Sequence, residues 1–484
     1  MLRRKSRLRR SPYNVQLYLK AQKDTVEMIQ KAEQEWWISE SEKLSRVNEK
    51  EKWKIINKLT NQTTAAGIQP IRKVINGEMV YLFDNKEIRS ELEEYHIKKH
   101  NDSVDNDLLV QDDFCISSNE ADVKGDSGSH IGRIMNADIS DYEVKCSFSK
   151  GSDTSGPDGI SSSMVDNSDR YLMHCCLKML FNKAWCSGKF VKEGKEENRV
   201  VIPKPGKDDY HECSAYRTIS ITSCLGKRFE YISSMRLASA LRYIDFDADQ
   251  FAYLQSRSAT QAILTTVETI KKGLLTGHYA GAVFFDFTDA FGSVNRSSLL
   301  NKIRRDFGIS GRLYWHISSF LSNRMARIKI QHDIGEWMES VIGTSAGTRL
   351  GPLLFIMHVH DVPKCIRPKF AGDLVAVSVA RDIDVIQSSL QEDTEQLVCW
   401  AKHEGMTINS AKTKVMLFGG KNDTLQIKID NTELENVRSF KYLGVVLDPM
   451  LDFSIQADYA AGKAKRASFK ISTMIKMIKC AEWY

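Results

Sequence analysis

Residues Val283-Phe284-Phe285-Asp286-Phe287 constrain this chain more tightly than any other stretch. Val283 to Phe285 is short, β-branched and aromatic, which reads as a buried strand. The strand then ends on a carboxylate. A charge delivered to the rim of a core is costly unless it is paired or binds a metal. A lone aspartate in this place is best read as a cap for the following turn. An aspartate joined by a second carboxylate makes a divalent-cation site plausible, so the rest of the chain decides the role of Asp286.

At 484 residues the chain has room for two or three domains and a sizeable core. A net charge of +6 permits a nucleic-acid partner without requiring one. The ten cysteines include only one close pair, Cys175-Cys176, and no zinc-type spacing. Reduced thiols in an intracellular protein, nuclear or cytoplasmic, are therefore expected. No apolar run reaches the length of a membrane span. The first residues carry Arg3, Arg4, Lys5, Arg7, Arg9 and Arg10, which suit either a nucleic-acid arm or import signal, or a plain solvated end.

From Asn14 to Thr60 the pattern is that of a long amphipathic helix or helix pair, with Trp36, Trp37, Trp53, Ile55 and Ile56 among many charges. Gly67 to Phe83 reads as short and turn-rich, and Asp84 with Glu87 as a capping box for a helix through Tyr95. Residues 1–100 thus form a basic arm and helical extension. Residues 101–135, rich in Asp, Ser, Asn and Gly, read as a flexible polar linker. Ser140 with Glu143 is a second capping box, near which the compact part is expected to begin.

Thr154 to Ile160 is a tight Gly-Pro-Asp-Gly turn before a helical run through Trp185. Arg199 to Lys207 is a strand leading into a Lys-Pro-Gly-Lys turn, and Tyr216 to Ser220 is a strand carrying Arg217. Together they could clamp a polyphosphate, Arg217 by its fork and Lys204 as a point charge; each alone is a generic basic hairpin. Helices follow from Gly226 to Leu241 and through Ile270, with Gln250-Phe251-Ala252-Tyr253 between them. Beyond Asp286, a small-residue turn at Gly343 to Gly347 precedes an apolar helix with Pro352 in its first turn. Phe370-Ala371-Gly372-Asp373 then opens a second apolar strand, Leu374 to Val377. A strand entering Asp286 and a strand leaving Asp373 can pair, bringing two carboxylates to one edge.

The order of these motifs resembles the reverse transcriptases of non-LTR (LINE-type) retrotransposons. The resemblance is carried by Gly156 to Gly159, Lys204 to Lys207, Arg217 to Ile219, and Asp286 with Ala290-Phe291. Gly347 with Leu350 to Phe355, Phe370 to Asp373, and Lys441-Tyr442-Leu443-Gly444 complete the series. It implies an α+β right-hand polymerase fold, with fingers at 136–275, palm at 276–430 and the start of a thumb at 431–484. The reverse transcriptase domain is expected over roughly 185–450.

The resemblance further implies RNA-templated DNA synthesis by nucleotidyl transfer with two Mg²⁺ ions. The partners would be an RNA template, a DNA primer and a deoxynucleoside triphosphate. Asp286, the carbonyl of Phe287 and Asp373 would hold metal. Arg217 and Lys204 would contact triphosphate, and Gly347 would lie by the nucleotide. Phe291 would occupy the steric gate that excludes a 2′-hydroxyl, and Lys412 in Asn409-x-x-Lys412-Thr413 would protonate the leaving pyrophosphate.

Departures from the pattern bear on activity. The family's Tyr-Ala-Asp-Asp is here Phe370-Ala371-Gly372-Asp373, so the first carboxylate is missing, and strand alternation puts positions 372 and 373 on opposite faces. Pro-Gln before Gly347 is Ser345-Ala346, Arg-Pro-Ile is Arg217-Thr218-Ile219, Ala-Phe-Asp is Ala290-Phe291-Gly292, and Gly-Phe is Ala252-Tyr253. The expectation is an impaired polymerase, served better by Mn²⁺ than Mg²⁺, on a chain that reads as a fragment of a longer element protein. The alternative is an inactive nucleic-acid-binding scaffold or an element relic.

Overall fold

The computed structural model describes residues 68–75, 78–98, 130–148, 154–204, 207, 209–244, 246–331, 333–420 and 423–481. The basic arm, the helical pattern over 14–60 and most of the polar linker lie outside the described residues. Ile68–Phe453 forms one compact unit; Ser454–Tyr484 groups with Met1–Gly67 in a second. Within the second unit the described element is a helix, Ser454–Ala481. The region read as the start of a thumb is thus divided after Phe453.

The compact unit opens with a hairpin, β1 (Ile71–Ile75) and β2 (Glu78–Leu82), and helix α1 (Asn85–Glu93). Asp84 caps α1 by accepting the Lys86 N–H at 2.8 Å. This corrects two expectations: 67–83 holds a paired hairpin, and the compact part begins at Ile68, well before residue 140. The reason is burial. Ile71, Ile88, Leu92 and Ile97 pack with Val201, Tyr216, Ala326 and Ile328 in one apolar cluster. Helix α2 (His130–Asn136) starts where the linker was still expected, and α3 (Asp141–Ser147) begins with the predicted Ser140–Glu143 capping box.

Helices α4 (Ser162–Asp166) and α5 (Arg170–Cys186) lead into β3 (Glu196–Pro203) and β4 (Tyr216–Thr222). Then come α6 (Cys224–Leu241), α7 (Ala259–Leu275), β5 (Tyr279–Phe285), α8 (Arg296–Arg305), α9 (Gly311–Leu321) and β6 (Arg324–Ile330). Short strands β7 (Asp333–Ile334) and β8 (Met338–Ser340) both pair with β6, completing a five-stranded sheet of order β4-β3-β6-β7 with β8 at the side.

Helix α10 (Gly351–His358) carries proline in its first turn, as its sequence predicts. Strands β9 (Ile366–Phe370) and β10 (Asp373–Ala380), helix α11 (Ile383–His403), and strands β11 (Lys414–Phe418) to β14 (Glu435–Asn436) follow. A second five-stranded sheet has the order β14-β11-β5-β10-β9, with β5 antiparallel to both neighbours.

Strand β5 is central, which is why its apolar run is continuous rather than alternating. Val283 and Phe285 join Leu374, Val415 and Leu417 in the large core that also holds Leu299, Leu354, Ile386 and Leu390. Ala282 and Phe284 face the other way, with Ile270, Val375, Met416, Tyr442 and Leu447. Gly281 lets α11 close on the sheet, because a Cβ there would meet Ile386 at 2.6 Å and Leu390 at 2.8 Å. On the opposite face, the hairpin β15 (Phe440–Tyr442) to β16 (Val445–Leu447) stacks Phe440 on Phe284 at 4.4 Å.

Candidate active site

Asp286 follows the last residue of β5, and Asp373 is the first residue of β10. The ladder pairs Leu374 with Phe285, so its next step sets Asp373 level with Asp286. Directly opposed residues of an antiparallel pair share a face. Both carboxylates therefore sit on the face of Phe284 and Val375, at the strand ends. Position 372 lies in the two-residue turn between the paired Phe370 and Asp373, so strand alternation does not relate it to 373. A Cβ at 372 would meet Ala290, Phe355 and Phe287, on the side away from Phe284.

The carboxyl of Asp373 is open to solvent by area, yet it is crowded by surrounding atoms. That burial raises its pKa, and the negative charge of Asp286 raises it further. Asp373 thus feels the charge of Asp286.

The backbone at Asp286 is tied to the loop before β11. Its N–H donates to Thr413 Oγ1 at 3.4 Å, and its carbonyl accepts the Asn409 N–H at 2.8 Å. The Thr288 N–H donates to the Thr407 carbonyl at 2.9 Å, and Phe287 bridges Ile408. In that pairing the Phe287 amide and carbonyl point away from Ile408. Asn409 in turn accepts the Lys412 and Thr413 amides at its carbonyl, 3.1 and 2.9 Å away. This small turn delivers Lys412 Nζ to 2.9 Å from Asp286 Oδ2.

The other sheet carries the cations Lys204 and Arg217. Lys204 follows β3, donates its N–H to Ala215 and its Nζ to the Ser214 carbonyl at 2.9 Å. Burial lowers its pKa first, and the positive charge of Lys412 lowers it next, with Lys207 and Arg217 adding and Asp289 opposing. Arg217 stands exposed on β4, opposite Ile202.

Phe291 is half-buried and stacks on Phe355 of α10 at 4.6 Å and 25°. Its carbonyl accepts the Thr344 N–H at 2.8 Å, and the Ala346 carbonyl accepts the Ser220 N–H of β4 at 2.8 Å. Gly347 has φ +105°, and a Cβ there would lie 2.8 Å from the Ser220 carbonyl. Glycine is required at 347 on both counts.

Sequence reasoning missed what supports this loop. Buried Glu197 pairs with Arg199 at 2.8 Å and Arg324 at 3.0 Å, while Arg296 donates to the Gly343 and Ile342 carbonyls at 2.9 Å each. Burial pushes the Glu197 carboxyl up, but Arg199 and Arg324 outweigh it and hold it at about 2. Burial and the charge of Arg324 bring Arg296 down to about 9. The only local signal was the Glu197/Arg199 spacing, which puts both on one strand face.

The family model for reverse transcriptase (RNA-dependent DNA polymerase) matches residues 202–447, just over half of the chain. The chain belongs to the reverse transcriptase family. Among curated relatives, it is 27% identical over 294 residues to the "Probable RNA-directed DNA polymerase from transposon BS" of Drosophila melanogaster, covering 57% of this chain and 32% of that protein. It is 24% identical over 291 residues to the RNA-directed DNA polymerase from mobile element jockey of the same species, covering 57% and 31%. The chain therefore spans about a third of the length of these relatives. These retrotransposon relatives support the LINE-type character read from the motifs. Among solved structures, apo telomerase from Candida tropicalis matches at 12% identity and a TM-score of 0.37, over 60% of this chain and 64% of that one.

Reverse transcriptases use divalent metal ions, and the donor set here fits one only in part. Two opposed carboxylates suit a hard cation. Among the described residues no group of three or more His, Cys, Asp or Glu is placed to hold a metal. Position 372, in the turn just before Asp373, is glycine and offers no carboxylate. Among the described residues, no helix is long and apolar enough to cross a membrane.

Proposed function

We propose that this chain is the polymerase portion of a retrotransposon reverse transcriptase whose nucleotidyl transfer is impaired at position 372. The observation that carries the reading is the level placement of Asp286 and Asp373 beside a turn that bears glycine. Arg217 by its fork and Lys204 by its charge bind the triphosphate. Phe291, held flat on Phe355, lies against the sugar and rejects a 2′-hydroxyl. Gly347 lets its loop press close to β4 beside the templated pair. Lys412 gives a proton to the leaving pyrophosphate once it has left Asp286.

Asp286, Asp373 and the Phe287 carbonyl would hold Mg²⁺, or Mn²⁺ with less demand on geometry. A bound divalent ion stabilises charge on the attacking and leaving oxygens. The partners under this reading are an RNA template, a DNA primer and a deoxynucleotide. Primer extension on an RNA template tests it. Weak extension that rises in Gly372→Asp supports the reading, and equal extension by both proteins overturns it.

A second reading, a catalytically inactive nucleic-acid-binding scaffold, is favoured by the retained cations Lys204, Arg217 and Lys412 beside an incomplete acid set. Filter binding across a salt series tests it, since phosphate contacts make affinity fall steeply with salt. An affinity that does not respond to salt would remove this reading.

A further inference from the structure

We propose that Gln250 is a positioning residue that sets the tip of the β9–β10 turn, and with it Gly372 and Asp373. The inference rests on the reading of that turn as the reaction site. Gln250 is 1% exposed and lies between α6 and α7, distant in sequence from both carboxylates. Its Oε1 accepts the Ala371 N–H at 3.0 Å and the Ala252 N–H at 3.0 Å. One amide oxygen thus ties the turn to the loop of its own segment.

The neighbouring backbone fixes the reach of that oxygen. The Lys369 N–H donates to the Asp249 carbonyl and the Phe251 N–H donates to the Lys369 carbonyl, each at 2.8 Å. Gln250 bridges Lys369 in parallel register, and Lys369 Nζ binds Asp247 at 2.6 Å. The segment from Asp247 to Ala252 is therefore pinned along β9 up to the turn.

Ala371 needs such an anchor. Its φ is +55°, a left-handed conformation that a side chain disfavours. Glycine stands next door at 372, where φ is not left-handed and the special freedom of glycine is not used. The turn is thus held in shape from outside, by the buried oxygen of Gln250. Gln250 Nε2 is buried and has no hydrogen-bond partner among the described residues. The side chain is used here as an acceptor alone. The same loop presents Tyr253, also left-handed at φ 57°, on the side of Asp373: burial first and then the Asp373 charge raise its pKa.

The test compares Gln250→Met, which keeps length and removes the acceptor, with Gln250→Glu, which keeps the acceptor. In the full chain, amide hydrogen exchange at Ala371 is expected to quicken at least tenfold in Gln250→Met and to stay near the parent rate in Gln250→Glu. Exchange at Val375 and Val415 is expected to stay unchanged in both. In the Gly372→Asp background, Gln250→Met is expected to lower kcat at least tenfold with KM for the deoxynucleotide within twofold, and Gln250→Glu to restore it. Should Gln250→Met fail to fold, Gln250→Leu carries the same comparison. Unchanged exchange at Ala371 in a folded Gln250→Met protein overturns the proposal. So does equal loss in the Met and Glu variants, which would mark Gln250 as packing only. A response at Ala371 without any polymerase activity would sustain the positioning role and defeat the proposed function instead.

Discussion

Under the proposed function Gly372→Asp supplies the missing carboxylate, and the structure says that the position can receive it. A Cβ at 372 would lie 3.4 Å from Ala290 Cβ, 3.6 Å from Phe355 Cζ and 3.9 Å from Phe287 Cδ2, which is ordinary contact. The backbone there is not left-handed, so no conformational penalty opposes the substitution. Losing one metal ligand removes about 4 kcal/mol of transition-state stabilisation, roughly a thousandfold in rate. Under the proposed function Ser345-Ala346 and Gly292 count as further departures. Recovery is therefore expected at about a hundredfold or more in kcat/KM rather than the whole factor. The assay is primer extension on an RNA template with Mg²⁺ and with Mn²⁺, beside Gly372→Asn and Gly372→Ala. Without metal, a carboxylate at 372 next to Asp373 in the chain and packed on Phe355 and Phe287 is desolvated and repelled by its neighbour. The variant should then melt below the parent in chelator and recover when Mg²⁺ is added. Equal gains from Ala and Asp would refute the reasoning, because a backbone effect would then suffice.

Three further outcomes are expected. Lys412→Ala frees Asp286 from a half-exposed ion pair worth under about 1 kcal/mol, so the melting temperature should barely move while Mn²⁺ affinity rises severalfold in a magnetic-resonance titration. Gly347→Ala combines φ +105° with a clash on the Ser220 carbonyl; a loss of about 2 kcal/mol or more is expected in denaturant unfolding. Glu197 has a folded pKa of about 2, below its unfolded value near 4.5, so its stabilisation is present above pH 4.5 and is lost as pH falls toward 2. Glu197→Gln should flatten the stability profile across that window, and a profile identical to the parent's would count against the buried network.

The elements that carry chemistry were legible because each has a local signature. The run Val283 to Phe285 reads as a buried strand, Ser140 with Glu143 as a cap, and Pro352 as a helix start, and each is found so. What the sequence hid is long-range. Lys412 reaches Asp286 across 126 positions, Gln250 reaches Ala371 across 121, and Arg324 reaches Glu197 across 127. No periodicity encodes such pairs. The β1–β2 hairpin was misjudged because much of it is exposed: Val74, Met79 and Tyr81 face outward, while Ile71 is buried. The face shared by Asp286 and Asp373 depended on where the turn ends, one residue later than the motif suggests.

The most direct measurement is the number of Mn²⁺ ions bound near Asp286, counted by electron paramagnetic resonance in the presence of primer, RNA template and a nonhydrolysable deoxynucleotide. An incomplete acid set predicts at most one ion for the unmodified chain and two for Gly372→Asp. Two tightly held ions in the unmodified chain would contradict it.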